Sequence, residues 1–433
     1  MPLPALEERL QKRYAELVKA HQHAATRVAA GPSHKPQEGS PAKQRQGAWR
    51  FFRNLRVTLA VLVEPLRQLA RQALQASKPC CALLVHDWSK LDYKDHDSKK
   101  DQKQLSHEND IGYDLATALL VDAQDGATIA PLDLHLETAE GVHSTRDKAP
   151  AVDTDHLAQV LPAMEAAKTW DLPCPLVHVI DREADSVGHY REWDQAGHHF
   201  LVRGDDRLVL FRQQECLLSE VTATLEAEGA FHKSREVLYK GEKAWQEVAE
   251  AEVVLHRPAK QRRSGEQRLL PGPPLPLRLV VARVRDQEGT LLAEWLLLSN
   301  VPLAWASAAM LALWYYWRWR IETYHKLLKS LGQEIEHWQQ ENGAAIARRL
   351  LVAAMACAVA WLLARASGPE AKEFRRILVE LSGRQMKTGC PFTVPALLAG
   401  LHVFLAFFAL LQRYSLAYLL ALANLLLPFF SSA

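Results

Sequence analysis

Long uncharged apolar runs are scarce in this 433-residue chain. Two stand near the end: Ala396–Leu411 and Tyr414–Phe430 carry no formally charged residue, and Gln412 and Arg413 separate them. Each falls short of the ~20 residues a membrane span needs, so a buried or self-associating helical tail is expected, with a membrane hairpin as the alternative. The opening MPLPALEERLQKRY lacks the apolar centre of a signal peptide. Cysteine is sparse too: Cys80, Cys81, Cys174, Cys216, Cys357 and Cys390, none in a CxxC pair. That disfavours a thiolate zinc site and a disulfide framework, and predicts buried, reduced thiols. Nor do His86, His178, His189, His198 and His199 have the paired spacing of a zinc site. Net charge is nearly absent at +2, so charge alone does not announce a nucleic-acid partner.

The charge that is present is uneven. Met1 to Arg56 holds eleven Lys and Arg against four Glu, a local excess of +7. A basic arm on a near-neutral body suggests a polyanion contact, and a solvated helix face is the bland alternative.

Leu6, Glu7, Leu10 and Leu17 predict a helix over 5–30. Gly31–Gly47 is rich in Pro, Gly and Ser and reads as a loop. Leu59, Leu62, Leu66 and Leu69 extend a helical pattern over 48–77, with Pro65 as a kink or break. At Cys80 the period changes. CCALLVHD predicts a buried strand ending at Asp87, and PLVHVIDREAD another ending at Asp181. Carboxylates at the ends of buried strands lie where open sheets place ligand sites. Between them, two strands join at Asp125–Gly126 and a helix covers 153–169; FLVRG forms a short strand at 200–204. Residues 206–300 are strand-like around a basic, proline-rich loop at 257–276. Helices follow at 303–337, 343–366 and 369–381.

The segment ALWYYWRWRIETYHKLLKSLG supplies a third carboxylate. At about 100° per residue, Tyr315, Arg318, Glu322 and Lys329 share one narrow stripe. Trp317, Ile321, Tyr324, Leu328 and Leu331 fall opposite, an apolar face for packing on a sheet. A surface helix with internal ion pairs explains the basic residues, but not a lone Glu among them beside a Tyr.

At these residues the chain resembles the DDE transposases of bacterial insertion sequence family four, cut-and-paste enzymes with an RNase H-like core. YYWRWRIETYHKLLKS matches the family signature: Tyr315, Arg318 three on, Glu322 four further, Lys329 seven further. VIDREAD is similar to the segment of the second aspartate, Asp181, and DWSKLDY to that of the first, Asp87. GAWRFFRN at 47–54, with Arg50 and Arg53, resembles part of the family's DNA-binding region. FLVRG places Arg203 where the family has a DNA-contacting basic residue, although Asp205 and Asp206 follow where the family is basic. Trp295 lies near a family tryptophan that stacks on a flipped base.

The resemblance implies an α/β, RNase H-like catalytic core with a β-rich insertion between helical terminal regions. Residues 1–78 would form the DNA-binding region, 79–205 and 301–366 the core, 206–300 the insertion, and 367–433 an apolar C-terminal region suited to dimerisation. It implies that Asp87, Asp181 and Glu322 hold two Mg²⁺ ions, with Mn²⁺ able to substitute, and that Tyr315, Arg318, Lys329, Arg203, Trp295, Arg50 and Arg53 contact DNA. The partners would be element-end and target duplexes, with a homodimer on DNA, no membrane, and a bacterial cytoplasm at the nucleoid. Three carboxylates suit hard divalent cations, and two such ions about 3.5–4 Å apart serve an attacking and a leaving oxygen together. The alternatives are a decayed relic that binds DNA without cutting it, a membrane-associated protein anchored by the tail, and a structure-directed nuclease of the same core.

Overall fold

The computed structural model describes residues 1–22, 41–146, 156–263, 266–329, 333–387 and 389–424. Three helices open it: α1 (Glu8–Gln22), α2 (Pro41–Arg53) and α3 (Leu59–Ser77). The predicted loop over Gly31–Gly47 therefore gives way to helix at Pro41, a residue suited to a first turn because no intrahelical partner awaits its missing N–H. Residues 31–40 lie outside the described ones, as do 23–30 of the first predicted helix. The single helix expected over 48–77 is split after Arg53. The Thr58 hydroxyl caps α3 by accepting from Val61 N–H at 3.3 Å. Pro65 sits inside α3 without ending it. Tyr14, Leu17, Phe51, Phe52 and Leu66 are buried in the same core as the sheet that follows.

That sheet begins with β1 (Ala82–Asp92), β2 (Lys103–Gln104), β3 (Ile111–Asp122), β4 (Thr128–Thr138) and β5 (Gly141–Ser144). Helix α4 (Val160–Ala167), β6 (Leu176–Ile180), α5 (Val187–Gln195) and β7 (His199–Gly204) follow. β1, β3, β4 and β5 pair antiparallel in turn, while β6 pairs parallel with β1 and β7 parallel with β6. The run Leu83–Val85 is fully buried, as a strand covered on both faces requires. β1 does not end at Asp87 as predicted. Its parallel pairing stops at Val85–Val179, but antiparallel pairing with β3 runs on to Asp92. A long partner strand on one side keeps β1 extended beyond the point where its other neighbour leaves.

The insertion comprises β8 (Leu208–Phe211), β9 (Gln214–Leu217), α6 (Leu218–Ala227), β10 (His232–Tyr239), β11 (Glu242–Leu255), β12 (Ala259–Arg263), β13 (Glu266–Leu270), β14 (Leu275–Arg285) and β15 (Leu291–Ser299). Most of its strands extend the same sheet: β15 pairs antiparallel with β7, and β14, β11, β8 and β9 continue outward. Helix α6 escapes the strand-like reading because Val221, Thr222 and Thr224 favour strands by composition. Asp206 stabilises its start, accepting from Ser219 N–H at 2.9 Å. The loop expected at 257–276 contains the β12–β13 hairpin, which stands apart from the main sheet.

The chain closes with α7 (Ala308–Trp317), α8 (Trp319–Lys329), α9 (Gly343–Arg365), α10 (Pro369–Ser382), α11 (Val394–Leu411) and α12 (Leu416–Ala423). The one helix predicted over 303–337 is thus two, jointed at Arg318. Arg318 N–H donates to Tyr315 O and Ile321 N–H to Arg318 O, both 3.1 Å, the three-residue spacing of a tightened turn. Leu331 lies outside the described residues. Helix α9 alone, among those described, is long and apolar enough to cross a membrane, and 78% of its most apolar window is buried within the protein. The tail is different: Phe407, Phe408, Tyr418 and Leu420 are each about half exposed, and α12 buries no residue among those described.

Candidate active site

Asp87 projects from β1 just past the last β6 pair, and Asp181 follows the final residue of β6, so neighbouring parallel strands present both. Glu322 lies in the first turn of α8, which crosses the same end of the sheet. All three meet one guanidinium. Arg318 Nη2 is 3.0 Å from Glu322 Oε1 and 3.4 Å from Asp181 Oδ2, and Nη1 is 4.0 Å from Asp87 Oδ2. The apolar face expected opposite the stripe is buried, with Ile321 and Leu328 almost fully covered. The stripe itself does not face solvent as a surface helix would. Tyr315 and Arg318 are 6% and 5% exposed, because the joint at Arg318 tips them onto the strand ends.

Hydrogen bonds set the two aspartates. Asp181 Oδ1 accepts from Arg182 N–H at 2.6 Å, opening a short 3₁₀ turn, and from the Tyr315 hydroxyl at 3.1 Å. Asp87 Oδ1 accepts from Trp88 N–H at 2.9 Å. Burial pushes the Asp87 carboxyl up to about 6; the Trp88 N–H and Arg318 oppose the rise, while Glu322 and Asp181 add to it. Burial likewise lifts the Tyr315 hydroxyl above its ordinary range, with Asp181 adding to it. Burial works against the Arg318 charge, but Asp181, Tyr315, Asp87 and Glu322 together hold it above the usual arginine value.

The other sequence candidates sit apart from this cluster. Lys329 Nζ donates to Lys90 O and pairs with Glu336 at 3.2 Å, tying the end of α8 to β1. Arg203 on β7 is half-buried and close enough to Tyr315 to influence it electrostatically. Trp295 lines a cavity of about 390 Å³ with Tyr315, Tyr316, Trp319, Arg235 and Gln246. Arg50 and Arg53 are exposed on α2, which packs on α9 and α1. Arg53 stacks on Trp49 at 4.4 Å and pairs with Glu341 at 3.1 Å. The acidic pair after FLVRG has local uses: Asp205 meets Arg182 at 3.2 Å and Asp206 caps α6.

Several neighbours of the site escape the sequence reading. His325 Nδ1 is 4.0 Å from Asp87 Oδ2, and burial, then Lys329, hold its imidazole down near 3, hence neutral. Its position three after Glu322 puts it on the same helical stripe, a signal that was present. Trp88 stacks on His156 at 5.2 Å, and Arg235 reaches the cavity from a distant strand; neither has a local signature. His86 and His178, named in the sequence but without zinc spacing, meet at 2.9 Å beside Asp87, and burial holds both imidazoles below their ordinary range.

The hard oxygen donors of Asp87, Asp181 and Glu322 fit Mg²⁺ or Mn²⁺ in chemistry. Among the described residues, no three His, Cys, Asp or Glu side chains stand at ligating spacing. In the triad, the Arg318 guanidinium occupies the space between the carboxylates.

No curated protein matches this sequence. Among solved structures there is a distant likeness to piggyBac transposase in its synaptic complex with hairpin DNA, at 10% identity and a TM-score of 0.36, over 93% of this chain and 72% of that one. The model for the transposase DDE domain matches residues 84–357, a span from β1 to α9 that contains Asp87, Asp181 and Glu322, and the chain belongs to that family.

Proposed function

We propose that this chain cuts and rejoins DNA at the ends of a mobile element by the cut-and-paste route, with Asp87, Asp181 and Glu322 as the metal-holding carboxylates. The observation that carries the reading is their convergence on one guanidinium from two neighbouring strands and a helix distant in sequence. The order β4-β3-β1-β6-β7, antiparallel then parallel, supports an RNase H-like core beneath them.

Two divalent cations held by the three carboxylates, Mg²⁺ or Mn²⁺ in its place, would activate the attacking oxygen and stabilise the leaving one. The remaining work belongs to the side chains. Tyr315 fixes the Asp181 carboxylate through its hydroxyl. Arg318, with two parallel N–H donors, suits a phosphate beside the triad. Lys329 anchors α8 to β1 and so sets where Glu322 stands relative to Asp87. Trp295 offers a ring to a displaced base, offsetting part of the few kcal/mol that unstacking costs. Water attack on the scissile phosphodiester frees a 3′ hydroxyl, and attack by that hydroxyl on a target phosphodiester joins the strands. The exposed Arg50 and the N-terminal excess of +7 suit phosphate contacts along the element end. The exposed apolar face of α11 and α12 suits a second copy of the chain.

The test is direct. Asp87→Ala, Asp181→Ala and Glu322→Ala should each abolish Mg²⁺-dependent nicking of element-end DNA while end binding stays within a few-fold of wild type. Nicking retained by any purified variant overturns the assignment.

A further inference from the structure

We infer that Arg235 selects the base displaced into the aromatic cavity beside the triad, and that the base it selects is guanine. This rests on reading Trp295 as the platform for that base. The cavity, about 390 Å³, lies between the strand face that carries Trp295 and the aromatic side of α7. Ala282 stands opposite Trp295 across β14 and β15, and Ala312 on α7 is as small, so room remains beside the indole. Tyr315 closes the side toward the triad: its ring lines the cavity and its hydroxyl donates to Asp181 Oδ1 at 3.1 Å. A base seated here is one side chain away from a carboxylate of the site.

A bulge brings the arginine to this cavity. Lys233 pairs with Glu247 and Arg235 with Gln246, which leaves Ser234 as the extra residue of β10. A regular ladder would put Ser234 opposite Gln246 and turn Arg235 to the other face of the sheet. Gln246 Oε1 accepts from Arg235 Nε at 2.7 Å, and the guanidinium lies 4.9 Å from the centre of the Tyr316 ring, so its orientation is set from two sides. Nη2 is buried and has no hydrogen-bond partner among the described residues. Burial also works against the Arg235 charge, so an acceptor that reaches Nη2 gains more than one that meets an exposed arginine. With Nε engaged, the Nη1–Nη2 edge is the fork that remains, and it suits two adjacent acceptors in one plane. Guanine presents such a pair, O6 and N7, on a two-ring face, whereas adenine sets an amino donor beside N7 and thymine a methyl group beside O4. Cytosine has O2 and N3 side by side, but on one ring, which stacks on less of the aromatic wall. A phosphate would also satisfy the fork, but it gains nothing from the aromatic walls.

The test measures binding of the full-length protein to duplexes that differ only in one unpaired, bulged base, by fluorescence anisotropy with chelator present to prevent cutting. The dG bulge should bind tighter than dA, dC or dT by roughly 5- to 150-fold, the range of one good bidentate pair. A 7-deazaguanine bulge, which keeps O6 and loses N7, should forfeit most of that preference. Arg235→Lys, which keeps the charge but not the fork, should bind the four bulges alike, with affinity for the unbulged duplex close to wild type. Preference for another base overturns the inference, and so does a dG preference that survives 7-deazaguanine or Arg235→Lys. Equal binding of the four bulges by wild type also overturns it, but leaves base capture at Trp295 standing if all four exceed the unbulged duplex. No gain from any bulge overturns both. Deoxyguanosine monophosphate that displaces the dG duplex at equal concentration would assign the cavity to a free nucleotide and overturn the DNA reading. The base series and the 7-deazaguanine arm need only wild-type protein, so a poorly folding variant does not leave the question open.

Discussion

Replacing Asp87 with Asn is expected to stabilise the metal-free protein at alkaline pH. The carboxyl lies near 6 in the folded chain, against about 3.9 in an unfolded one. The folded state therefore holds this proton more tightly. Ionised Asp87 costs stability above about pH 6, and that cost vanishes below the unfolded value, so stability rises as pH falls between them. Values about two pH units apart, at 1.36 kcal/mol each, correspond to about 3 kcal/mol. Burial is the leading cause, and an amide of the same shape escapes most of it. Lost attraction to Arg318 offsets part of the gain, leaving on the order of 1–3 kcal/mol at pH 8 and near zero at pH 4. Urea unfolding in excess chelator, at several pH values, measures this through the midpoint at constant slope. Equal pH dependence in the two proteins, or a variant less stable at pH 8, would refute the reasoning.

Three further outcomes are expected. Phe52→Ala, which empties a fully buried site between the N-terminal helices and the core, should cost about 3–5 kcal/mol in chemical denaturation; removal of residues 1–56 should give insoluble protein rather than a stable core. Arg50→Ala should weaken end binding in gel-shift assays and reduce its salt slope by about 0.9, with a smaller effect for Arg53→Ala, whose charge is already engaged by Glu341. The double substitution Phe407→Glu, Phe408→Glu, at two half-exposed positions, should reduce self-association in analytical ultracentrifugation and leave the thermal midpoint nearly unchanged.

Local chemistry made much of this protein legible. A strand covered on both faces must be continuously apolar, so CCALLV and PLVHVI stand out, and each leads into its aspartate. The helix period of 3.6 ties Tyr315, Arg318 and Glu322 to one stripe whatever they pack against. Nearest-neighbour periodicity is silent where pairing partners are remote. It ended β1 at Asp87, missing that β3 holds the strand to Asp92. It ran one helix through Arg318, because the break comes from burying a charged side chain onto strands far away in sequence. Nor does it show that Tyr14 and Phe52 of the N-terminal helices are buried in one cluster with residues of the sheet.

Which groups are available is already written in the order of residues: three carboxylates, the arginine, tyrosine and lysine spaced around the last of them, and the alternation of strand and helix that carries them. These depend on side-chain chemistry and on spacing within one element. Packing between distant segments is what makes the carboxylates share a single guanidinium, joins β15 of the insertion to the core sheet, and opens the aromatic cavity beside Tyr315. Those are relations between segments separated by long stretches of chain, set by strand register and by which faces can be buried together, and no local pattern encodes them.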